Sequence, residues 1–321
     1  MIKKIIAAVF VLSCSVGAVE AQTCPSYPNT LTNGQPADAS QVMANFSYIL
    51  NCLNNTAGRE VLTANRTYYV RSDGNDSNNC LSNTSGGACL TIQRAVNLAY
   101  AIDGRTFNVT IQVNCGSPPC TFTGATVFNG PFLTSGTVSL VGDTTTPSNV
   151  TLSVTGAHAI FVTNGAKVQI AGFKITTTGT GHGLNMTNGA VATVNGKMEW
   201  GAINQAGYAH MNVNTGAALL YSNQSYTISG NFSYHLIIQT GGAATYALNT
   251  VTITNSPTYT VFCEIDYVGV VSTTQNTYSG AVTSGQRYLA QGNGVINTFG
   301  AGAQYFPGTV AGSVNTGGQY I

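Results

Sequence analysis

From residue 136 to about 300 the chain alternates short apolar runs with Gly, Asn and Thr punctuation, and the alternation repeats. Setting one glycine in a common column gives six segments: AIFVTNGAKVQIAGFKI, GLNMTNGAVATVNGKME, HMNVNTGAALLYSNQSY, LIIQTGGAATYALNTVT, CEIDYVGVVSTTQNTYS and YLAQGNGVINTFGAGAQ. Their anchors, Gly165, Gly189, Gly216, Gly242, Gly269 and Gly294, are spaced 24, 27, 26, 27 and 25 residues apart. An earlier segment, FLTSGTVSLVGDTTTPSNVTLSV, fits on Gly136 if DTTTPS is an insertion. Each segment reads as an alternating run, an Asn-Gly or similar turn, a second run, another turn and a third run. Period-two alternation marks half-buried strands, and Gly/Asn punctuation supplies positive φ at turns. Val168 and Ile170 are predicted to face one way and Lys167 and Gln169 the other, with Val154, Ile175 and Ile228 in third strands.

Three strands of four or five residues cannot bury a face in isolation. Stacked as coils, they share one apolar interior and pair edge to edge along an axis, which is a parallel β-helix. A propeller blade needs about 40 residues, and a sandwich of hairpins does not explain a constant glycine column. Upstream, CLTIQRAVNLAYAIDG puts Ile92, Ala95, Val96, Ala99 and Ile102 on one helical stripe, with Thr91 as N-cap and Gly104 after the end. Such a helix, near residues 91–102, is expected to lie across the open end of the coil stack and cover its unpaired edge.

TYYVRSDGNDSNNC and GGACLTIQRAVNLA together resemble the opening segment of right-handed parallel β-helix proteins of the pectin-lyase-like superfamily. There a Tyr-Val-x-x-x-Gly-Asn-Asp-Ser strand and loop lead into a capping helix. The likeness runs over residues 67–105 by motif and 106–300 by periodicity. It implies an all-β, right-handed solenoid and leaves activity open, because one fold hosts many functions. YPNTLTNGQPADASQVMANFSYILNCLNN resembles N-terminal segments of phage tail-fibre and tailspike-like proteins. Its short stripe of Val42, Phe46, Ile49 and Leu53, capped by Asp38 or Ser40, needs a surface to dock on, and a homotrimer suits the likeness. The expected organisation is a signal peptide over 1–21, a helical segment over 22–55, a linker over 56–66, the β-helix over 67–305 and a Gly-rich tail over 306–321.

The chain opens MIKKIIAAVFVLSCSVGAVEAQT: a basic start, an apolar run too short to span a bilayer and a small-residue site, read as a secretory signal cleaved after Ala21. Lipidation at Cys14 is the competing reading. The location implied is secreted, extracellular or periplasmic, with no membrane span. Six cysteines fall into local pairs, Cys24 with Cys52, Cys80 with Cys89 and Cys115 with Cys120, which an oxidising compartment would keep as disulfides. Metal binding is disfavoured because no histidine lies near them and CxxC is absent; Cys263 is left over as a small apolar strand residue. A phage virion protein needs no export signal, so a secreted relative of such proteins fits better.

Charged residues make up 7% of the chain, far below the usual quarter. Outside the leader nine Lys and Arg balance nine Asp and Glu. No clustered cations are present to grip nucleic acid or an anionic membrane. With 43% of residues hydrophobic the chain nonetheless folds, and its polar character comes from Thr, Asn, Ser, Gly and sixteen tyrosines. That inventory of neutral donors and acceptors suits a polysaccharide or a cell-surface glycan.

Gly181-His182-Gly183 resembles the Gly-His-Gly of polygalacturonases, whose families also carry Asn-Thr-Asp, an Asp-Asp pair and Arg-Ile-Lys. None of these occurs, and no acid lies between Asp143 and Glu199. Hydrolysis needs carboxylates flanking the bond, so catalysis at His182 is not expected; a pectate lyase would want several Asp clustered for calcium beside an Arg or Lys base, and that cluster is missing too. Counting back from the anchors puts His158, His182 and His235 seven positions before and His210 six before, so all four histidines are predicted at one corner. With coils about 4.8 Å apart, the alternatives are a polar ladder, glycan contact along a groove with Tyr208 and Tyr234, or a metal site. Glu264 and Asp266 are predicted on the outer face about 7 Å apart, as a solvated pair, a catalytic pair or calcium ligands. Trp200, beside Glu199, is read as core, with a sugar platform as the alternative, and Asp73 and Asp76 as an Asx-rich turn that could otherwise bind calcium. The expectation is a non-catalytic β-helix that binds glycan or serves as a tailspike-like surface adhesin. The alternative is a polysaccharide lyase or glycoside hydrolase using Glu264 and Asp266 or acids assembled at a subunit interface. Calcium is the one ion these acids bring to mind, and no other cofactor is implied.

Overall fold

The structure, a computed structural model, describes residues 28–30, 38–55 (side chains through 49) and 59–321. Residues 1–27 lie outside it, and with them the signal reading, Cys14 and Cys24; the side chain of Cys52 does too. Two compact units divide the chain at Arg59 and Glu60.

In the first unit, helix α1 (Ala39–Asn55) begins at Asp38, whose carboxylate accepts from Ser40 N at 2.7 Å and whose carbonyl accepts from Val42 N at 3.1 Å. Asp38 is therefore the N-cap, one of the two residues expected. Asn45 Nδ2 donates to Asn29 O at 2.9 Å, and Asn29 N donates back to Asn45 Oδ1 at 3.1 Å. Met43 and Phe46 are exposed on this helix.

The second unit is a parallel β-solenoid of about eight turns. Among the described residues, its strands form three long sheets of ten, seven and eight members, besides a two-stranded pair of Glu60–Val61 with Ile102–Asp103. The first runs from Arg66–Arg71 to Gln319–Tyr320, the second from Cys120–Phe122 to Thr277–Ser279 and the third from Thr126–Asn129 to Ser313–Val314. Each strand pairs with the one about a turn further on. Val168, Ala192, Leu219 and Ala244 thus stack in one column, and Ile160, Leu184, Met211, Leu236 and Cys263 in another. The alternation seen in the sequence is the cause: Val168 and Ile170 are buried while Lys167 is exposed. A single turn has no inside; the stack makes one.

The glycine column has two physical origins. Asn164 and Gly165 both take left-handed φ, 53° and 76°, and turn the chain from the third sheet to the first. Three turns of alignment later that left-handed pair sits one residue earlier, at Thr240 and Gly241, and Gly242 is required for another reason: a Cβ there would come 2.6 Å from Val213 O on the neighbouring turn.

Helix α2 (Ile92–Tyr100) starts at Thr91, whose hydroxyl accepts from Arg94 N at 3.2 Å. Asp76 fixes that cap, accepting from Leu90 N, Thr91 N and the Thr91 hydroxyl at 2.9, 2.8 and 2.7 Å. Ile92, Ala95, Val96 and Ala99 are buried, and α2 packs against the strands Arg66–Arg71, Val109–Asn114 and Thr126–Asn129. Gln93 pairs both backbone groups of Val127, accepting from its N–H at 2.7 Å and donating to its carbonyl at 3.2 Å. Val127 belongs to the edge strand of the third sheet, so this side chain stands where a further strand would.

Disulfides join Cys80 to Cys89 and Cys115 to Cys120, and Cys263 is a buried free thiol. Residues 306–321, read from the sequence as a Gly-rich tail, carry two short paired strands, Ser313–Val314 and Gln319–Tyr320. Tyr320 stacks on Tyr288 at 3.8 Å; this aromatic contact and the backbone pairing hold a segment whose glycines pointed to looseness. Among the described residues no helix is long and apolar enough to cross a membrane.

Candidate functional site

The outer face of the third sheet gathers most of the candidate residues, and strand alternation decides which side chains reach it. Leu184 and Met186, Met211 and Val213, Leu236 and Ile238, and Cys263 and Ile265 belong to the core. The residues between them, Asn185, Asn212, Ile237 and Glu264, therefore face outward in one column, followed by Leu289 and preceded by Phe161. They are nevertheless only 5%, 5%, 4% and 9% exposed. These outward side chains are thus almost wholly closed off from solvent. Asn212 Nδ2 donates to Asn185 Oδ1 at 2.7 Å, while Asn212 Oδ1 is buried without a partner.

One wall is aromatic. His182 N donates to His158 Nδ1 at 3.0 Å, and Ala209 N donates to His182 Nδ1 at 2.9 Å. Each Nδ1 accepts, so each neutral ring carries its proton on Nε2. The two rings stack at 5.2 Å, Phe161 lies 5.3 Å from His158 and Tyr208 lies 5.0 Å from His182. Ala209 is in register with Tyr234, which continues this column. Burial holds His158 below the ordinary imidazole range and pushes His182 down to about 3, with the His158 charge a second cause. Along the other wall run Thr163, Thr187, Asn214, Gln239 and Asp266, with the Thr163 and Thr187 hydroxyls 2.9 Å apart.

Glu264 and Asp266 close one end. Asp266 Oδ1 accepts from Tyr267 N at 2.8 Å and Oδ2 from Gln291 Nε2 at 3.4 Å. Glu264 makes no hydrogen bond among the described residues. Burial first and the Asp266 charge second raise its pKa, and burial together with Glu264 raises the Tyr234 hydroxyl. Immediately beyond, Tyr267 and Val268 both hold left-handed φ, 45° and 59°, on the surface.

The four histidines do not share one corner. His182 stands opposite Ala209, so His210 falls in the adjacent column with Gly183 and His235, and that column points inward. The seven- and six-residue counts concealed a slip of one. His210 and His235 are fully buried, with Nδ1 atoms 2.9 Å apart. His210 Nε2 is 2.7 Å from Gly201 O, His235 Nε2 is 2.8 Å from the Tyr226 hydroxyl, and Tyr226 meets Tyr246. A carbonyl can only accept, so His210 donates from Nε2 and accepts at Nδ1; His235 then donates from Nδ1 and accepts at Nε2 from Tyr226. Every group in this chain is neutral.

Gly181-His182-Gly183 is explained by close approach: a Cβ on Gly181 would meet Ala157 O at 1.9 Å, and one on Gly183 would meet His210 O at 2.7 Å. Trp200 is completely buried, so it forms no platform, and Glu199 is bound by Lys174 at 2.7 Å and Ser229 at 2.6 Å. Asp73 pairs with Arg71 at 2.8 Å, and Asp76 caps α2. Among the described residues no group of three or more His, Cys, Asp or Glu converges on a metal position. The sequence reading missed Asn185, Asn212 and Ile237; they stand four or five positions before their anchor glycines, as Glu264 does, and the same column count would have found them. Compared with protein-family models, curated proteins and solved structures, the chain matches none.

Proposed function

We propose that this is a secreted, right-handed β-helix of pectin-lyase-like type that binds extracellular polysaccharide or a cell-surface glycan along the outer face of its third sheet, without cleaving it. Strand crossovers within one parallel sheet wind right-handed in nearly all proteins, which supports the hand. The pairing of Gln93 with the edge strand supports α2 as the cap, and two disulfides fit an oxidising compartment. The apolar face of α1 with Met43 and Phe46 favours a tailspike-like trimer joined through that helix. The observation that carries the reading is the partly exposed, uncharged aromatic row of His158, His182 and Tyr208, continued by Tyr234, beside the amides Asn185 and Asn212. Polar amides beside aromatic faces complement a sugar ring, whose edge is polar and whose face is C–H.

An oligosaccharide array tests it. The full chain is expected to retain at least one glycan class, and Tyr234→Ala to weaken that binding about tenfold, or 1.4 kcal/mol, without shifting the unfolding temperature. Silence across the array overturns the reading. The raised Glu264 beside Asp266 favours a second one, glycoside hydrolysis with Glu264 as acid and Asp266 as base. Reducing-sugar release by wild type that disappears in Glu264→Gln/Asp266→Asn would establish it.

A further inference from the structure

Both disulfides among the described residues border one cleft. It opens on the outer face of the first sheet, with a volume of about 430 Å³, and Gln112, Asn114 and Val141 form its floor. Asn83 walls it from the loop that Cys80–Cys89 closes, and Cys115 and Pro118 wall it from the loop that Cys115–Cys120 closes. A cleft of this size suits a small molecule, and the cross-links hold its walls in place before anything binds.

The hydrogen bonds determine which atoms of the lining stay unpaired. Arg71 gives Nε and Nη2 to Asp73 at 2.8 and 3.0 Å and Nη1 to Asn83 Oδ1 at 3.4 Å. A guanidinium only donates, so Asn83 presents its oxygen there and its amide N–H groups are left over. Asn114 meets that oxygen through Nδ2 at 3.2 Å, which leaves Asn114 Oδ1 unpaired. Gln112 Nε2 donates to Val141 O and Gly142 O at 3.2 and 3.3 Å, which leaves Gln112 Oε1 unpaired. Neither oxygen is shut away from solvent.

Opposite charges stand on either side of these amides. Arg71 is in register with Asn114, and Gln112 with Val141, so Asp143 follows on the turn after Asn114. Arg71 and Asp143 are therefore two rungs apart, about 10 Å at ordinary strand spacing, and both line the cleft without pairing with each other. Asp143 Oδ1 accepts from Thr145 N and Thr146 N at 2.9 and 2.8 Å, and Oδ2 accepts from Asn149 Nδ2 at 2.7 Å. The Thr146 N–H first and the Asn149 amide second hold its carboxyl below the usual carboxylate range. No cation pairs with it among the described residues. A lone anion in the cleft would meet Asp143, a lone cation would meet Arg71, and a neutral sugar would use neither charge. A zwitterion uses both.

We propose that this cleft binds a free α-amino acid, with its ammonium on Asp143, Gln112 Oε1 and Asn114 Oδ1 and its carboxylate on Arg71 and the Asn83 amide. The site lies on the first sheet, apart from the aromatic row of the third, and does not rest on the glycan reading.

Calorimetry of the full chain against the common L-amino acids, one at a time in low salt near neutral pH, tests the proposal. At least one is expected to bind. Its carboxamide and its N-acetyl derivative, each lacking one of the two charges, should bind about tenfold more weakly. Asp143→Asn keeps an oxygen for the Thr145 and Thr146 N–H groups and removes the charge. It should weaken the free amino acid about tenfold and leave the N-acetyl derivative's affinity unchanged. Binding of none of the amino acids overturns the proposal, as does undiminished affinity in the variant. A carboxamide, an N-acetyl derivative or glucose that binds as tightly as the free amino acid overturns it too. If Asp143→Asn does not fold, the derivative series on wild type decides by the same outcomes.

Discussion

Acidification should unfold this protein from within, through histidines that the fold locks in the neutral state. His210 and His235 are the central pair: burial pushes His210 down to about 3, and burial followed by the His210 charge pulls His235 well below its ordinary value. The hydrogen bonds show why. A proton added to His210 Nδ1 would confront the His235 Nδ1–H at 2.9 Å, and His210 Nε2 already spends its proton on Gly201 O. His182, down to about 3, behaves alike because its Nδ1 is occupied by Ala209 N–H. In the unfolded chain each of these imidazoles titrates near its ordinary value of about 6.5. The folded values are lower, so the unfolded state binds more protons below that pH; the stabilisation is complete above it and is lost as pH falls. Between about pH 7.5 and 5.5 each histidine removes about 1.4 kcal/mol, so the three together remove about 4 kcal/mol over that window. Against a typical total of about 5–15 kcal/mol, that is decisive. Urea unfolding at fixed salt, stepped from about pH 7.5 to 5.5, measures it. His210→Gln, which keeps a donor for Gly201 O and an acceptor for His235, should reduce the loss across that window by about 1.4 kcal/mol. Stability that stays flat across this range, or an undiminished slope in the variant, would refute the reasoning.

Ile170→Ala removes a fully buried side chain stacked between neighbouring turns; a loss of about 2–5 kcal/mol is expected in urea unfolding. Replacing Cys80 and Cys89 together by Ala opens a loop of sequence separation 9, and the chain-entropy relation puts the loss at about 2–3 kcal/mol, measured by the same titration under non-reducing conditions. Val268 is β-branched, 58% exposed and held at a φ of 59°. Val268→Gly removes a left-handed cost of about 1–2 kcal/mol against a chain-entropy cost of about 0.5–1, so unfolding should shift to higher temperature; a lower one contradicts the strain argument.

The parallel solenoid was legible because its cause is periodic. Any residue such as Val168 that must sit on Ala192 and be followed by Leu219 repeats its character at the turn length, and the eye finds the repeat. The trimmed tail was not legible: Ser313–Val314 and Gln319–Tyr320 are two-residue strands whose pairing depends on the preceding turn rather than on their own pattern. The histidine corner failed for a different reason. Turns of 24 to 27 residues absorb their extra positions in corners, so counting from a glycine carries an error of one, and one residue reverses a side chain between solvent and core. His182 and His210 differ by that single step. Glu264 survived the count because Cys263 and Ile265 on either side are apolar and fix its direction locally.

The same logic separates what the solenoid needs from what it is free to offer. Inward columns must stay apolar at every rung, whereas outward columns can change chemistry along the axis without disturbing the stack. In the third sheet that freedom produces a gradient: Phe161 at one end, the amides Asn185 and Asn212, the apolar Ile237, then the acid Glu264 beside Asp266. A polymer lying along this strip meets different chemistry at each rung, so it would bind in one direction and one register. A flat repeating surface could not impose either, because a shift by one rung would cost nothing. On the glycan reading, sliding a chain by one turn would set the apolar Ile237 where the amide of Asn212 had been. If the proposed glycan binds here, its polarity would follow from the column order, and exchanging Asn212 with Ile237 (Asn212→Ile together with Ile237→Asn) should shift the preferred register by one rung while the interior, which contains neither side chain, stays as it is.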